Sequence, residues 1–151
     1  MFRGNHPAKI EESGRLKLPV PFKLMLDATN ISDLYVTTED GQRAQIWPID
    51  EWKKIETRLK KHSVGNVAVK KYLDMTGYYG QEAKMDAQGR FVLPQLLRAK
   101  TKLEGDLAVI GKITHFEVVN RALFEQELPA RVPTEDDLKA VDAILSAESA
   151  D

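Results

Sequence analysis

Two twelve-residue stretches of this chain are versions of one another, and no other feature constrains its fold as much. Residues 8–19 read Ala-Lys-Ile-Glu-Glu-Ser-Gly-Arg-Leu-Lys-Leu-Pro and residues 83–94 read Ala-Lys-Met-Asp-Ala-Gln-Gly-Arg-Phe-Val-Leu-Pro. Six of the twelve positions are identical and three more are conservative, with no gap. The echo continues downstream: Asp33-Leu34-Tyr35-Val36 resembles Asp106-Leu107-Ala108-Val109, and Ile49-Asp50 before Trp52 resembles Val119-Asn120 before Phe124. The expectation is two units, residues 1–80 and 81–151, the second carrying a C-terminal helical tail. Two copies are too few for a solenoid and suit a pseudo-twofold pair that shares one core.

Each unit reads as strand, turn, strand, short helix, strand, strand, helix. Gly14 and Gly89 interrupt alternating apolar residues, as a turn between the strands of a β-hairpin does, and glycine supplies the positive φ such a turn needs. Pro19 and Pro94 end the second strand and open a helix at its first turn, over residues 21–28 and 95–102. Asp50 is placed to cap a helix that turns Trp52, Ile55 and Leu59 to one side. A further helix is expected over residues 66–75, stopped by Gly77. Asn120 is expected to cap a helix bearing Leu123, Phe124 and Leu128, closed by Pro129. Thr134 with Asp137 forms a capping box for a last amphipathic helix with Leu138, Val141, Ile144 and Leu145, its end frayed from Ala147 to Asp151. The fold class is mainly β with short helices, α+β.

Charge is where composition matters. The net charge is −1, but its distribution is uneven. Residues 1–26 carry five Lys/Arg against two acids, residues 53–71 seven against one, and residues 81–102 five against two, whereas residues 134–151 carry six acids and one Lys. A basic body with an acidic tail can bind a polyanion locally although the sum is near zero. The chain has no cysteine, which excludes disulfides, thiol catalysis and thiolate metal sites. No apolar run reaches the length of a membrane span, about 18–20 residues. Residues 1–6 lack the apolar stretch of a signal peptide, so a cytoplasmic protein is expected.

Enzymatic signals are poor. His6, His62 and His115 lie far apart and in no metal-ligand spacing. Gly105 to Lys112 has the look of a phosphate loop but carries one residue too many between its glycines. Ile113 stands where a magnesium-holding Ser/Thr is required, and the interior reads as a strand. No catalytic residue, metal or cofactor is expected. Glu11 and Asp86 occupy equivalent positions; they either meet as a carboxylate pair or, more simply, organise turn amides or pair with the neighbouring arginine.

Arg15 and Arg90 follow the two turn glycines. An arginine fork is always charged and matches phosphates and guanine edges, and a β-element carrying it can enter a DNA groove. Arg3, Lys9, Lys17, Lys84 and Arg98 stand around the pair. No aromatic-rich basic stripe suggests stacking on single strands, so double-stranded DNA is favoured over RNA.

Met1-Phe2-Arg3-Gly4 together with the two G-R-[LF]-x-[LV]-P hairpins closely resembles the bacterial MraZ family, within the AbrB-like, swapped-hairpin DNA-binding proteins. The resemblance covers about residues 1–128. It implies a double β-barrel of the double-psi or swapped-hairpin kind, made by two half-barrels of one chain, and a ring-shaped homo-oligomer of eight or twelve subunits. It implies binding to short G-rich direct repeats upstream of the division and cell-wall gene cluster, with repression there, in the nucleoid. The family motif Asp-x-x-Gly-Arg is kept as Asp86, Gly89 and Arg90; the first copy has Glu11 before Gly14 and Arg15. By position Arg3, Arg15 and Arg90 would face DNA, whereas Lys9, Lys17 and Lys84 rest on charge and proximity. AbrB-type hairpins also serve in antitoxins, which makes an antitoxin-like protein-interaction module the alternative.

Overall fold

The computed structural model describes residues 1–149. The first half runs β1 (Asn5–Ala8), β2 (Arg15–Lys17), α1 (Val20–Ala28), β3 (Asp33–Thr37), β4 (Ala44–Pro48), α2 (Ile49–Lys60) and α3 (Val67–Tyr78). The second half follows the same order through β5 (Gln81–Lys84), β6 (Arg90–Val92), α4 (Gln95–Lys100), β7 (Leu107–Gly111), β8 (Phe116–Asn120) and α5 (Arg121–Glu127). It then departs with a 3-10 turn (Leu128–Arg131) and α6 (Glu135–Ser149). The strands form a six-stranded sheet in the order β1-β7-β8-β4-β3-β5 and a two-stranded ribbon, β2-β6; every pairing between them is antiparallel.

The pairings correct one expectation. The glycine turns close only short local hairpins, in which Glu11 N donates to Arg15 O, Asp86 N to Arg90 O and Ile10 bridges Leu16, and the strands on either side of each turn find their longer ladders in the other half. β1 pairs with β7, setting Ala8 against Leu107, and β5 pairs with β3, setting Ala83 against Leu34. Ala8 and Ala83 are equivalent in the repeat, as are Leu34 and Leu107, so the two exchanges mirror each other. β2 meets β6 with Leu16 opposite Phe91, again equivalent positions. The reason is burial. A three-residue strand in a local hairpin is marginal, whereas the ribbon between halves places Leu16 and Phe91 in the core at 0% and 1% exposure.

The core is built largely from repeat-related residues: Leu16 with Phe91, Leu18 with Leu93, Phe22 with Leu97, Leu34 with Leu107 and Val36 with Val109 are all buried. Phe22 makes an aromatic triangle with Phe2 and Phe116, ring centroids 5.3–5.4 Å apart. Each such ring buries area that contributes about 2–3 kcal/mol.

Helix boundaries follow local chemistry with two corrections. Asn66 and Asn120 cap α3 and α5 by accepting from the amides of Val69 and Leu123 at 3.1 and 3.2 Å. Thr134 and Asp137 make the reciprocal capping box before α6: Thr134 N donates to Asp137 at 2.9 Å, and Asp137 N to the Thr134 hydroxyl at 3.1 Å. Asp50, however, does not cap α2. Pro48 takes the boundary position, and Asp50 lies in the first turn, where its charge complements the helix dipole. Gly77 does not stop α3 either. It has no positive φ and stays helical, and the helix ends one residue later. The Thr76 carbonyl there accepts from Tyr35 and Thr37, both at 2.8 Å, which ties the end of α3 to β3. Of the fraying expected from Ala147 onward, residues 150–151 lie outside the described residues.

On the outer side of the sheet, Trp47 stacks on His115 with ring centroids 3.8 Å apart. Burial, helped by the nearby Lys112 charge, pushes the His115 imidazole down to about 4. The folded state therefore resists a proton that the unfolded chain accepts near its ordinary value of 6.5. Stability is unaffected above pH 6.5 and falls as pH drops from there toward 4. Allowing for the ring's partial exposure, the loss should be about 1–2 kcal/mol. Urea melts at pH 7 and 4.5 should show His115→Gln losing less stability on acidification than the parent; equal losses would contradict this.

Candidate nucleic-acid interface

Strand alternation orients the ribbon's side chains. With Leu16 and Phe91 turned inward, Arg15 and Lys17 on β2 and Arg90 and Val92 on β6 must point out. The register sets Arg15 opposite Val92 and Lys17 opposite Arg90. Two like charges opposite each other on one face are unfavourable, so three cations gathered here call for an anion.

One anion is supplied internally. Arg90 donates from Nε to Glu11 at 2.8 Å and from Nη1 to Gln88 at 2.6 Å. A symmetric molecule would pair Arg15 with Asp86, but it does not. Asp86 Oδ1 instead accepts from the backbone amides of Gln88 and Arg90, both at 2.9 Å. Those amides, Arg90's first, and then the Arg90 and Arg15 guanidiniums hold its carboxyl below the usual range. The difference is one methylene. Aspartate is short enough to fold back on its own turn, whereas Glu11 reaches past its turn to the other copy's arginine. The backbone is indifferent to this: Gly14 N donates to Glu11 O at 2.8 Å and Gly89 N to Asp86 O at 3.0 Å, and the glycines have φ of +78° and +81°. The carboxylates do not meet. Among the described residues Arg15 makes no ion pair, and it is exposed.

Each glycine turn is backed by a cation from the other half. A methyl group on Gly14 would lie 2.9 Å from Arg98 Nη2 of α4, and one on Gly89 would lie 2.9 Å from Lys23 Cδ of α1. Arg98 is held by donating Nε to Leu93 O at 2.8 Å, and Lys23 is bound to Asp27 at 2.6 Å. Reading the sequence missed Lys23, although Lys23 and Arg98 stand at the same spacing as Gly14 and Gly89 and the repeat pointed to it.

The remaining expected residues lie apart from the ribbon's outer face. Lys9 follows β1 and pairs with Asp106 at 3.5 Å across an exposed surface; Lys84 ends β5 opposite Asp33, the equivalent place in the other half. Arg3 is exposed and precedes β1, at the opposite end of that strand from Lys9. The structure thus brings Arg15, Lys17, Arg90, Glu11, Gly14, Asp86 and Gly89 together on the ribbon and its turns, and Arg3, Lys9 and Lys84 lie outside the ribbon strands. Among the described residues no group of His, Asp or Glu is arranged to hold a metal ion, and no helix is long and apolar enough to cross a membrane. Strand β7 occupies the stretch that mimics a phosphate loop.

These features define a mixed α/β protein, with a mostly antiparallel sheet, whose two Gly-Arg turns converge on one basic ribbon. Residues 80–139 match a family model described as "MraZ protein, putative antitoxin-like". Proteins named Transcriptional regulator MraZ are similar over nearly the whole chain. The one from Acidobacterium capsulatum is 44% identical over 141 residues, covering 93% of this chain and 97% of its own. The one from Koribacter versatilis is 37% identical over 142 residues, with the same coverage. A Legionella pneumophila protein of that name is 32% identical over 128 residues, 84% of each chain. The chain belongs to the MraZ family.

Proposed function

We propose that this protein is a sequence-specific DNA-binding regulator of transcription and not an enzyme. The observation that carries the reading is Arg15, which makes no ion pair among the described residues, next to Lys17 and Arg90 on one outward face of the ribbon. It is supported by membership of a family whose curated relatives are named transcriptional regulators. Arg15 reads base edges, Lys17 and Arg90 hold the adjoining backbone, and Lys9, Lys84 and Arg3 extend the phosphate contacts outward. Glu11, Gly14, Asp86 and Gly89 fix the two turns.

The finer reading follows the family. The target is a set of short G-rich direct repeats in double-stranded DNA upstream of the division and cell-wall gene cluster. The effect is repression, and the place is the cytoplasm, on the nucleoid. The ribbon and sheet close into a barrel built from repeats 1–80 and 81–151, and copies assemble into a ring of eight or twelve, so that repeated hairpins meet repeated sites.

Titration against duplexes with and without G-rich repeats tests this. Tight binding to the repeats alone is expected, with a slope of log affinity against log salt of about −0.9 per phosphate contact. Binding indifferent to repeats or to salt would overturn it. A protein that ignores DNA but captures a second protein would favour the antitoxin-like module.

A further inference from the structure

The acidic last helix has an apolar side with nothing on it. Residues 128–147 are all exposed, among them Leu138 at 53%, Val141 at 49% and Leu145 at 61%. At about 100° per residue these three fall within one arc of about 60°. Asp142 and Glu135 border that arc on one edge. An amphipathic helix of this kind, left in water, exposes apolar area that a matching groove would remove.

A matching surface lies along α2. Ile55, Arg58, Leu59, Lys61 and His62 line a surface depression of about 430 Å³. Ile55 and Leu59, with His62 in the turn that follows α2, also fall within one arc of about 60°, with Lys54, Arg58 and Lys61 along one edge and Glu51 among them, paired to Lys54. Trp52, on the other edge, is buried in the body of the protein, so the basic edge is the open one. The two arcs have matching spacing, and their charged borders are opposite in sign. If the helices run parallel, Leu138 comes beside Ile55 and Leu145 beside His62. Asp142 then comes beside Arg58, and Glu135 beside the Glu51–Lys54 pair, whose lysine it would share. The pairs these groups make now, Lys54 with Glu51 and Lys139 with Glu135, are exposed and weakly held.

We infer that α6 of one copy docks along α2 of the next copy. This rests on the ring reading and names its contact. A helix on one surface that fills a groove on a different surface makes a heterologous contact. Such a contact leaves a free helix and a free groove at the two ends until a ring closes.

Light scattering of the full-length protein at micromolar concentration, beside circular dichroism, tests the contact. Leu138→Asp with Leu145→Asp should lower the mass to that of a monomer or small oligomer while the helical signal stays. Arg58→Asp and Asp142→Arg should each raise the concentration for half-assembly by about tenfold, and the two together should recover most of that loss. A parent that assembles while these variants keep its mass would overturn the inference and leave the ring reading standing. So would a charge swap that recovers nothing. A parent that is itself a monomer would overturn both.

Discussion

Gly111→Ala is expected to lift the N-terminal segment off the sheet and to destabilise the protein by about 3–5 kcal/mol, as much as emptying a buried phenylalanine site. The new methyl carbon would lie 2.3 Å from Arg3 N, 2.4 Å from Phe2 C and 2.5 Å from Arg3 Cα. All three are backbone atoms, so no side chain can swing aside. That backbone is tied down on both sides of the clash. Phe2 N donates to Ile113 O at 2.9 Å, Ile113 N to Phe2 O at 2.8 Å, and Gly111 N to Gly4 O at 2.8 Å. Relief therefore means withdrawing Phe2, which is 6% exposed and packs edge-on to Phe22. Urea denaturation measures the loss. Because the damage travels through one side chain, Gly111→Ala and Phe2→Ala should be strongly non-additive, the double variant costing little more than the worse single one. Additive losses would show that the segment relaxes by another route.

Arg15→Ala is expected to abolish tight binding to multi-repeat DNA while leaving the protein folded. One base-reading arginine contributes about 1–3 kcal/mol at its contact. If neighbouring subunits present the same ribbon to successive repeats, the substitution removes that amount at each repeat engaged, because linked contacts act through effective concentration. A duplex gripped at three or four repeats should then lose several times the single-contact value, and a one-repeat duplex far less. Stability should change little, since Arg15 is exposed and makes no ion pair among the described residues. Arg90→Ala gives the contrast: it breaks the link to Glu11 and should cost up to about 1 kcal/mol of stability. Mobility-shift titrations on one-repeat and four-repeat duplexes, alongside thermal melts, separate the outcomes. An Arg15→Ala protein that melts early yet binds four repeats normally would make Arg15 a structural residue.

The two predictions depend on different kinds of information. Arg15 is legible in the chain itself, because a Gly-Arg turn recurs at the same place in both copies. Gly111 is not. It sits in the false phosphate loop, and only the approach of the N-terminal backbone makes it indispensable. Lys23 lies between these cases: the repeat relates it to Arg98, but its place behind Gly89 depends on β2 pairing with β6.

What is local could be read along the chain. The repeat set the element order, the turn glycines took the positive φ their position demanded, and Asn120 and the Thr134–Asp137 box marked helix starts through side chains that bond amides three residues away. Consecutive strands β3–β4 and β7–β8 pair locally, but the partners of β1, β2, β5 and β6 depend on packing between the halves, because those short strands gain most from what they bury together. That choice put Leu16 against Phe91 inside, which in turn carried Glu11 within reach of Arg90 from the other half of the chain. One methylene then broke the symmetry that the repeat announced, spending one arginine on an internal pair and leaving the other free for an external anion.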